Sequence, residues 1–447
     1  MSNNKIFHYM VNTSIKSLLG LPYRGYVKRS WQLDRANYLR LQQKLFEKMY
    51  AHAIKNVPYY RGKKELYPVY QGNEPYHEFI KRLPIITKET LRDNNECFVS
   101  RKKRRWCTTH TTSGTSGTPI TLYGTPFERA LSYAITHDWY RKLIVNNKYY
   151  KLISLSGFMT PVHEGELYWS AFGGKSTFLN IYGLKEANAD RLLDLIQRDK
   201  NILFFGYASA LAELARVVKG RLDMEKNNYV AVSTSEILTL QHRSVIEANL
   251  CRKVYDQYGS QEGCHLILEC DEGKMHVHPY VGVVEILNDD NSTCQKGQLG
   301  RVIVTGFKSS MPLIRYEIGD MAIALDETCS CGLSWPTIGS IEGRSEDLVL
   351  TADGRRIGYL NFHSTKNLKG IAESQLIQNG YYSFTFKIVL MPDFMNDKNA
   401  IHLNELLILS QLKTRIGYDI DVAFEYLERI PREGGRNKFK SVIVKFN

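Results

Sequence analysis

The sequence lacks any stretch approaching the roughly 18 uninterrupted apolar residues that a bilayer-crossing helix requires, which excludes a chain that spans a membrane on helices. It also lacks internal repeats and low-complexity tracts, so solenoids, fibres and disordered tails are excluded. No secretory pattern is evident at the start. The apolar pieces Ile6–Val11 and Leu18–Leu21 are short and broken by polar residues, and no small-residue cleavage site follows. The expected compartment is therefore the cytoplasm. Acidic residues are in short supply: 46 Asp+Glu face 59 Lys+Arg, a formal net charge of +13. Such a surface attracts phosphate in nucleotides, coenzymes, nucleic acid or anionic lipid. The densest basic run, Arg101-Lys102-Lys103-Arg104-Arg105, reads as a solvated loop or as an anion-facing edge. No RNA- or DNA-binding signature accompanies it, so no nucleic-acid partner is expected.

What is present is a globular composition, with 447 residues that are 43% hydrophobic and 23% charged. That length implies two or three domains, each able to bury a sizeable core. The eight cysteines, in a chain with no export pattern, read as reduced thiols rather than a disulfide framework.

The first hundred residues read as mostly helical, with Tyr38, Leu41, Leu45 and Met49 at helical spacing. Asn56-Val57-Pro58 stops that helix, and Thr87 can cap a short one whose first turn holds Glu89. The segment Lys5–Arg29 is amphipathic, suited to docking on the protein or touching a membrane surface as a peripheral element. From about residue 110 short apolar runs (Leu152–Leu155, Ile202–Phe205, Tyr229–Val232, Val254–Gln257) alternate with the helical patterns Ala208–Val218 and Leu240–Leu250. That alternation predicts α/β architecture, with mainly parallel sheets flanked by helices. Val281–Leu287 and Arg301–Thr305 read as an antiparallel pair. The last hundred residues form a different pattern: strand-like Phe384–Leu390, Val422–Tyr426 and Val442–Phe446 around helix-like Asn404–Arg415. The expected division is 1–110, the helical N-terminal portion of a large domain; 111–343, its α/β core with a zinc-binding insert; and 344–447, a small mobile α+β lid.

The strongest local signal is Thr111-Thr112-Ser113-Gly114-Thr115-Ser116-Gly117-Thr118-Pro119, dense in hydroxyls and glycine. Glycine lets a backbone fold closely around an anion, and successive N–H groups can form a nest for it. No Gly-Lys-Ser/Thr ending follows, so it is not a Walker loop. Taken alone the run fits a phosphate loop or a Ser/Thr/Gly linker. Strand-like Ile120-Thr121-Leu122-Tyr123 follows it, so the run sits between ordered elements. No nucleophile–base triad appears by spacing, and His110 and His137 read as hydrogen-bonded structural residues.

The run resembles the phosphate-binding loop of the adenylate-forming (acyl- and aryl-CoA synthetase-like) enzymes. Four later segments resemble motifs of that family in the same order: Tyr258-Gly259-Ser260-Gln261-Glu262, Arg315-Tyr316-Glu317-Ile318-Gly319-Asp320, Gly343-Arg344-Ser345-Glu346-Asp347, and Pro431 through Lys438. The resemblance is to the phenylacetate–CoA ligase branch, including CapK-like proteins of capsular polysaccharide loci. Asn56-Val57-Pro58-Tyr59-Tyr60 and Leu83-Pro84-Ile85-Ile86-Thr87-Lys88 also look like that branch. The sequence departs from the family at four places. Gln261 stands where Thr is usual, Ile120 where many relatives carry Lys, Glu346 where Asp or Lys is usual, and Asn437 where Gly is usual.

The resemblance implies an AMP-forming ligase that activates a small-molecule carboxylic acid with ATP and Mg²⁺ and passes the acyl group to a thiol, coenzyme A. Ser113, Gly114, Thr115, Ser116, Gly117 and Thr118 would hold the β- and γ-phosphates. Glu262 would bind Mg²⁺, a hard cation that prefers a carboxylate. Asp320 would accept hydrogen bonds from the ribose, with Arg344 nearby. Ser235, Glu236, Tyr258, Gly259, Ser260 and Gln261 would border the adenine and the acyl pocket. Lys438 would reach in from the small domain during adenylation, and Glu346 would mark the hinge. Two rival readings remain: acylation of an amine or hydroxyl of a surface-polysaccharide precursor, and a nucleotide-binding protein that has lost activity. Dimers are common in the branch, which makes a homodimer an expectation too. A second constellation, Cys264, His265, Cys270, His276 and His278 with Cys329-Ser330-Cys331-Gly332, suits tetrahedral Zn²⁺. The likeness to CapK-like proteins selects Cys270, His276, Cys329 and Cys331, a structural zinc site because four protein ligands leave no open position.

Overall fold

The computed structural model describes residues 2–111, 120–144, 149–155, 166–238, 240–344, 348–352, 356–358, 371–390, 394–416, 419–428, 430 and 442–446. The N-terminal third is helical: α1 (Ser2–Gly20), α2 (Arg24–Ser30), α3 (Arg35–Asn56), α4 (Pro58–Arg61), α5 (Tyr76–Lys81) and α6 (Lys88–Asp93). Pro58 ends α3 and starts α4 at N1, where its missing N–H costs nothing. Thr87 caps α6 by accepting the Thr90 N–H at 3.2 Å. A hairpin of β1 (Thr108–Thr111) and β2 (Thr121–Gly124) leads into α7 (Pro126–Leu143). A reciprocal capping box of Thr125 and Glu128 starts α7.

A nine-stranded sheet then organises the centre. Its strands are β3 (Lys151–Leu155), β4 (Tyr168–Ala171), β5 (Ser176–Leu179), β6 (Asn201–Gly206), β7 (Asn228–Thr234), β8 (Lys253–Gly259), β9 (Leu266–Glu269), β10 (Met275–Val277) and β14 (Thr337–Ile338). They lie in the order β14-β10-β9-β8-β7-β6-β3-β5-β4. The run β5-β3-β6-β7-β8 is parallel and both flanks are antiparallel. Helices α8 (Ala189–Gln197), α9 (Ala208–Val217) and α10 (Leu240–Asn249) make the crossovers. They bury Leu192, Leu211, Leu214 and Ile246 against Ile202, Phe204 and Ala231 of the strands. The α/β architecture expected from the alternation of patterns is the one observed.

A second, antiparallel sheet holds β11 (Gly282–Leu287), β12 (Leu299–Gly306), β13 (Tyr316–Ile323) and β15 (Ile341–Arg344). Arg315 fastens this sheet to the helical third. It is buried, its Nη1 donates to the carbonyls of Lys81 (2.6 Å) and Leu83 (2.8 Å), and its Nη2 lies 3.1 Å from the Glu285 carboxylate. Ile86 and Tyr316 form a parallel bridge beside it. The segment Leu83–Lys88 therefore serves to seat the start of β13, the strand that carries Asp320.

A hairpin of β16 (Leu348–Leu350) and β17 (Arg356–Gly358) follows. The last unit has β18 (Ile371–Gln378), β19 (Ser383–Leu390), β20 (Asp421–Tyr426) and β21 (Val442–Val444) in the order β20-β19-β18-β21. Helix α11 (Lys398–Ile416) packs Ile408, Leu412 and Ile416 on Leu376, Phe384 and Phe386 of that sheet, an α+β core of its own.

Candidate active site and metal cluster

The parallel strands β7 and β8 run side by side with Thr234 opposite Gln257, so Ser235 and Tyr258 follow at the same carboxyl edge. That edge is where open α/β sheets hold their ligands. Ser235 has φ +66°, a left-handed conformation that costs a non-glycine residue energy and collects at functional sites. Glu236 lies in the same bend. The Tyr258 hydroxyl donates to Asp320 Oδ2 at 2.7 Å, joining the large sheet to the second one. Asp320 is opposite Arg344 in the β13–β15 register. The backbone thus sets Arg344 beside Asp320; its side chain lies outside the described residues. Gly319, at φ +80°, lies in the irregularity of the β12–β13 register just before Asp320.

Gly259 ends β8 and Ser260, Gln261 and Glu262 form the turn into β9. Gly259 pairs with Leu266 across the hairpin. Glu262 is only 8% exposed. Its backbone carbonyl accepts from Lys308 Nζ at 2.8 Å. The carbonyl of Gln261 accepts from His110 Nε2 at 2.9 Å, and His110 Nδ1 lies 2.9 Å from Arg129 Nη2. A guanidinium can only donate, so His110 is the neutral Nε2–H tautomer. Burial, with Arg129 and Lys308 nearby, holds its pKa below the ordinary histidine value. The described base of the β1–β2 hairpin, Thr111 paired with Thr121, is therefore tied through His110 to the Glu262 turn. Ser113, Gly114, Thr115, Ser116, Gly117 and Thr118 between those strands lie outside the described residues, as do Glu346 and Lys438. Sequence reasoning missed Arg129 and Lys308. Neither belongs to a motif, and only the fold carries Lys308 to the Glu262 carbonyl and Arg129 to the His110 ring that holds Gln261.

Four ligand atoms, one each from Cys270, His276, Cys329 and Cys331, lie within 4.8 Å of one another. Cys270 follows β9 and His276 lies in β10, joined by a tight turn with Gly273 at φ +73°. Cys329 and Cys331 lie in the loop before β14, which pairs with β10 through His276 and Thr337. The Cys270 and Cys329 sulfurs are 3.6 Å apart, and Cys331 Sγ is 3.4 Å from His276 Nε2. A tetrahedron with ordinary Zn–S and Zn–N bonds has edges of about 3.8 Å between sulfurs and about 3.5 Å between sulfur and nitrogen. His276 Nδ1 donates to the Trp335 carbonyl at 3.2 Å, which leaves Nε2 with its lone pair facing the sulfurs. The donor chemistry, the tautomer and these two separations suit zinc, and all four donor atoms lie within 4.8 Å of one another. Cys264, His265 and His278 stand apart from it. Cys264 is fully buried, with its thiol pushed up to about 12 by burial. His265 packs on the Tyr258 ring at 4.5 Å, and His278 packs against Trp335 at 4.8 Å.

Comparison with known proteins places these observations. The CapK C-terminal domain family matches residues 349–445. The chain is 24% identical to Protein CapK of Staphylococcus aureus over 457 residues, 98% of this chain and 97% of that one. It is 25% identical to a phenylacetate-coenzyme A ligase of Thermus thermophilus over 334 residues, 71% of this chain and 73% of that one. A solved structure of 2-hydroxyisobutyryl-CoA ligase with its R3-HIB-AMP adduct in the postadenylation state has a TM-score of 0.57 at 17% identity, covering 94% of this chain and 92% of that one. The same ligase with 2-HIB-AMP and CoA in its thioesterification state gives 0.56 at 18% identity, covering 95% and 91%. The chain is thus similar to the CapK C-terminal domain over residues 349–445, to CapK over almost its whole length and to phenylacetate-coenzyme A ligase over most of it, and it has the fold of the CoA ligases.

Proposed function

We propose that the protein is an ATP-dependent, AMP-forming ligase that activates a carboxylic acid and transfers the acyl group to coenzyme A. The observation that carries this reading is the meeting of Asp320, Tyr258 and the Glu262 turn at the carboxyl edge of β7 and β8. In this reading a substrate carboxylate oxygen attacks the α-phosphorus of ATP, and the bond to pyrophosphate breaks. The coenzyme A thiolate then attacks the acyl carbonyl, and AMP leaves. Both steps crowd anions, so the site must position them and neutralise charge. Asp320 accepts the ribose hydroxyls, held in orientation by Tyr258, with Arg344 beside it. Ser235, Glu236, Gly259, Ser260 and Gln261 border the adenine and acyl pockets. Ser113–Thr118 cradle the outer phosphates, and Lys308 and Arg129 add positive charge at the same turn. Glu262 supplies the carboxylate for Mg²⁺, whose chemistry there is to neutralise the departing pyrophosphate. Lys438 approaches from a mobile lid, 344–447, that swings at Glu346 against the helical segment 1–110 and the core 111–343.

Cys270, His276, Cys329 and Cys331 hold a structural zinc. They join the β9–β10 hairpin to β14 at the end of β9 remote from the Glu262 turn. No described helix is long and apolar enough to cross a membrane. The compartment proposed is the cytoplasm. A homodimer accords with the branch.

The test is hydroxylamine trapping of the acyl-adenylate across a panel of aryl and short-chain acids, with and without coenzyme A. Acid-dependent hydroxamate, replaced by acyl-CoA thioester when coenzyme A intercepts the adenylate first, and lost in Lys438→Ala, is the expected outcome. No turnover with any acid in a broad panel overturns the reading. A second reading is favoured by the match to the CapK C-terminal domain and by the full-length similarity to CapK. In it the acyl group passes to a polysaccharide precursor, and the same assay then yields adenylate without thioester.

A further inference from the structure

Residues 1–33 contain Lys5, Lys16, Arg24, Lys28 and Arg29 and no Asp or Glu; the first acid is Asp34. Within this stretch α1 packs one side on the protein. Tyr9 meets Phe178 edge-on at 4.7 Å, and Gly20 approaches α7 so closely that a Cβ there would lie 3.3 Å from the Ala130 carbonyl. The other side carries Phe7, Val11, Ile15 and Leu18, spaced four, four and three apart. That spacing confines them to one narrow stripe of the helix. All four are exposed, Phe7 by 63% and Leu18 by 66%. The apolar surface continues into Leu21 and Tyr26, both exposed. Arg24, Lys28 and Arg29 flank it, and Arg141 and Lys142 at the end of α7 are exposed as well. Both acids of α7, the helix on which α1 packs, are engaged elsewhere. Asp138 accepts from Trp31 Nε1 at 2.8 Å, and Glu128 accepts from the Ser309 N–H at 2.8 Å. The element is firmly seated, because Trp335 Nε1 donates to the Ser30 carbonyl at 3.0 Å at the end of α2.

We propose that the α1–α2 face docks the protein on an anionic lipid bilayer, lying in the headgroup plane without crossing it. An apolar stripe on a segment whose only charged residues are cations suits the boundary between acyl chains and negative headgroups. A second copy of the chain does not suit it, because a twofold contact through this face would set cations against cations, with no acid in residues 1–33 to neutralise them. The proposal stands apart from the reaction chemistry and does not depend on it.

The test is sedimentation of the full chain with vesicles of phosphatidylcholine alone and of phosphatidylcholine with phosphatidylglycerol. Partitioning is expected to be about tenfold or more stronger on the anionic vesicles at low salt, and to fall as salt rises. Phe7→Ser with Leu18→Ser is expected to reduce it by about tenfold, since two exposed apolar side chains no longer insert. Arg24→Gln with Lys28→Gln is expected to weaken binding to anionic vesicles by a similar factor. All four positions are exposed, so the melting temperature should hold in both variants. Equal partitioning on the two vesicle types, or wild-type binding by the Phe7/Leu18 variant, overturns the proposal. So does a wild-type dimer in ultracentrifugation that the same variant converts to monomer, because the face then belongs to a second copy.

Discussion

Removing one sulfur from the metal cluster tests the zinc assignment most directly. In the unfolded chain Cys270 and Cys329 are 59 residues apart. Bringing such a pair together costs about 4 kcal/mol of chain entropy at 25 °C. In the folded chain the β9–β10–β14 pairing has already closed that loop and gathered the four donors within 4.8 Å of one another. A zinc ion held there would stabilise the fold by as much as it prefers folded over unfolded chain, so about 4 kcal/mol is the scale of the expected contribution. For a unit of this size each kcal/mol moves the melting midpoint by roughly 2 °C, giving a drop of about 8 °C. Cys331→Ser, at a partly exposed thiol, should lower the midpoint by that amount and abolish stoichiometric zinc in metal analysis. Chelation of the wild type by phenanthroline should produce the same drop, reversed by added zinc. Cys97→Ser, at an exposed thiol outside the cluster, should change neither quantity. A midpoint that ignores the chelator, or protein purified without chelator that carries no zinc, refutes the reasoning.

The remaining predictions concern the site and its supports. Tyr258→Phe removes the 2.7 Å hydrogen bond to Asp320, a loss of about 1–2 kcal/mol. Pyrophosphate exchange should then fall roughly 5- to 30-fold, mainly through a higher KM for ATP, and an unchanged KM would remove Tyr258 from the nucleotide site. Arg315→Lys leaves the carbonyls of Lys81 and Leu83 and the Glu285 carboxylate short of donors. It should destabilise by about 3–5 kcal/mol in denaturant titration. Burial raises the Asp256 carboxyl from its ordinary value to about 7, with Glu269 adding repulsion. The folded chain therefore holds a proton that the unfolded chain loses near pH 4, and stability falls as pH rises from about 4 to 7. Asp256→Asn should raise the melting midpoint at pH 8 and leave it nearly unchanged at pH 4; an equal effect at both values would refute the ionisation argument.

Much of this protein is determined by sequence alone, because local patterns report local burial. Alternating apolar runs at Ile202–Phe205 and Tyr229–Val232 must bury on both faces of a sheet, so the α/β class follows without coordinates. Pro58 and Thr87 mark helix ends because a missing N–H and a side-chain acceptor act within one turn. The order of the motifs around Tyr258, Asp320 and Arg344 likewise lies in the chain itself. The tertiary structure decided what those residues meet. Strand β5 lies across β3 from β6, so the chain changes direction within the sheet, and no periodicity reports that order. The four residues of the metal cluster form two close pairs along the chain, but only the antiparallel pairing of β10 with both β9 and β14 brings sulfur to sulfur and sulfur to imidazole. His110, Arg129 and Lys308 are unremarkable one at a time. They converge on Gln261 and Glu262 because hydrogen bonds between distant segments depend on strand order and register, which the spacing of residues along a chain does not encode.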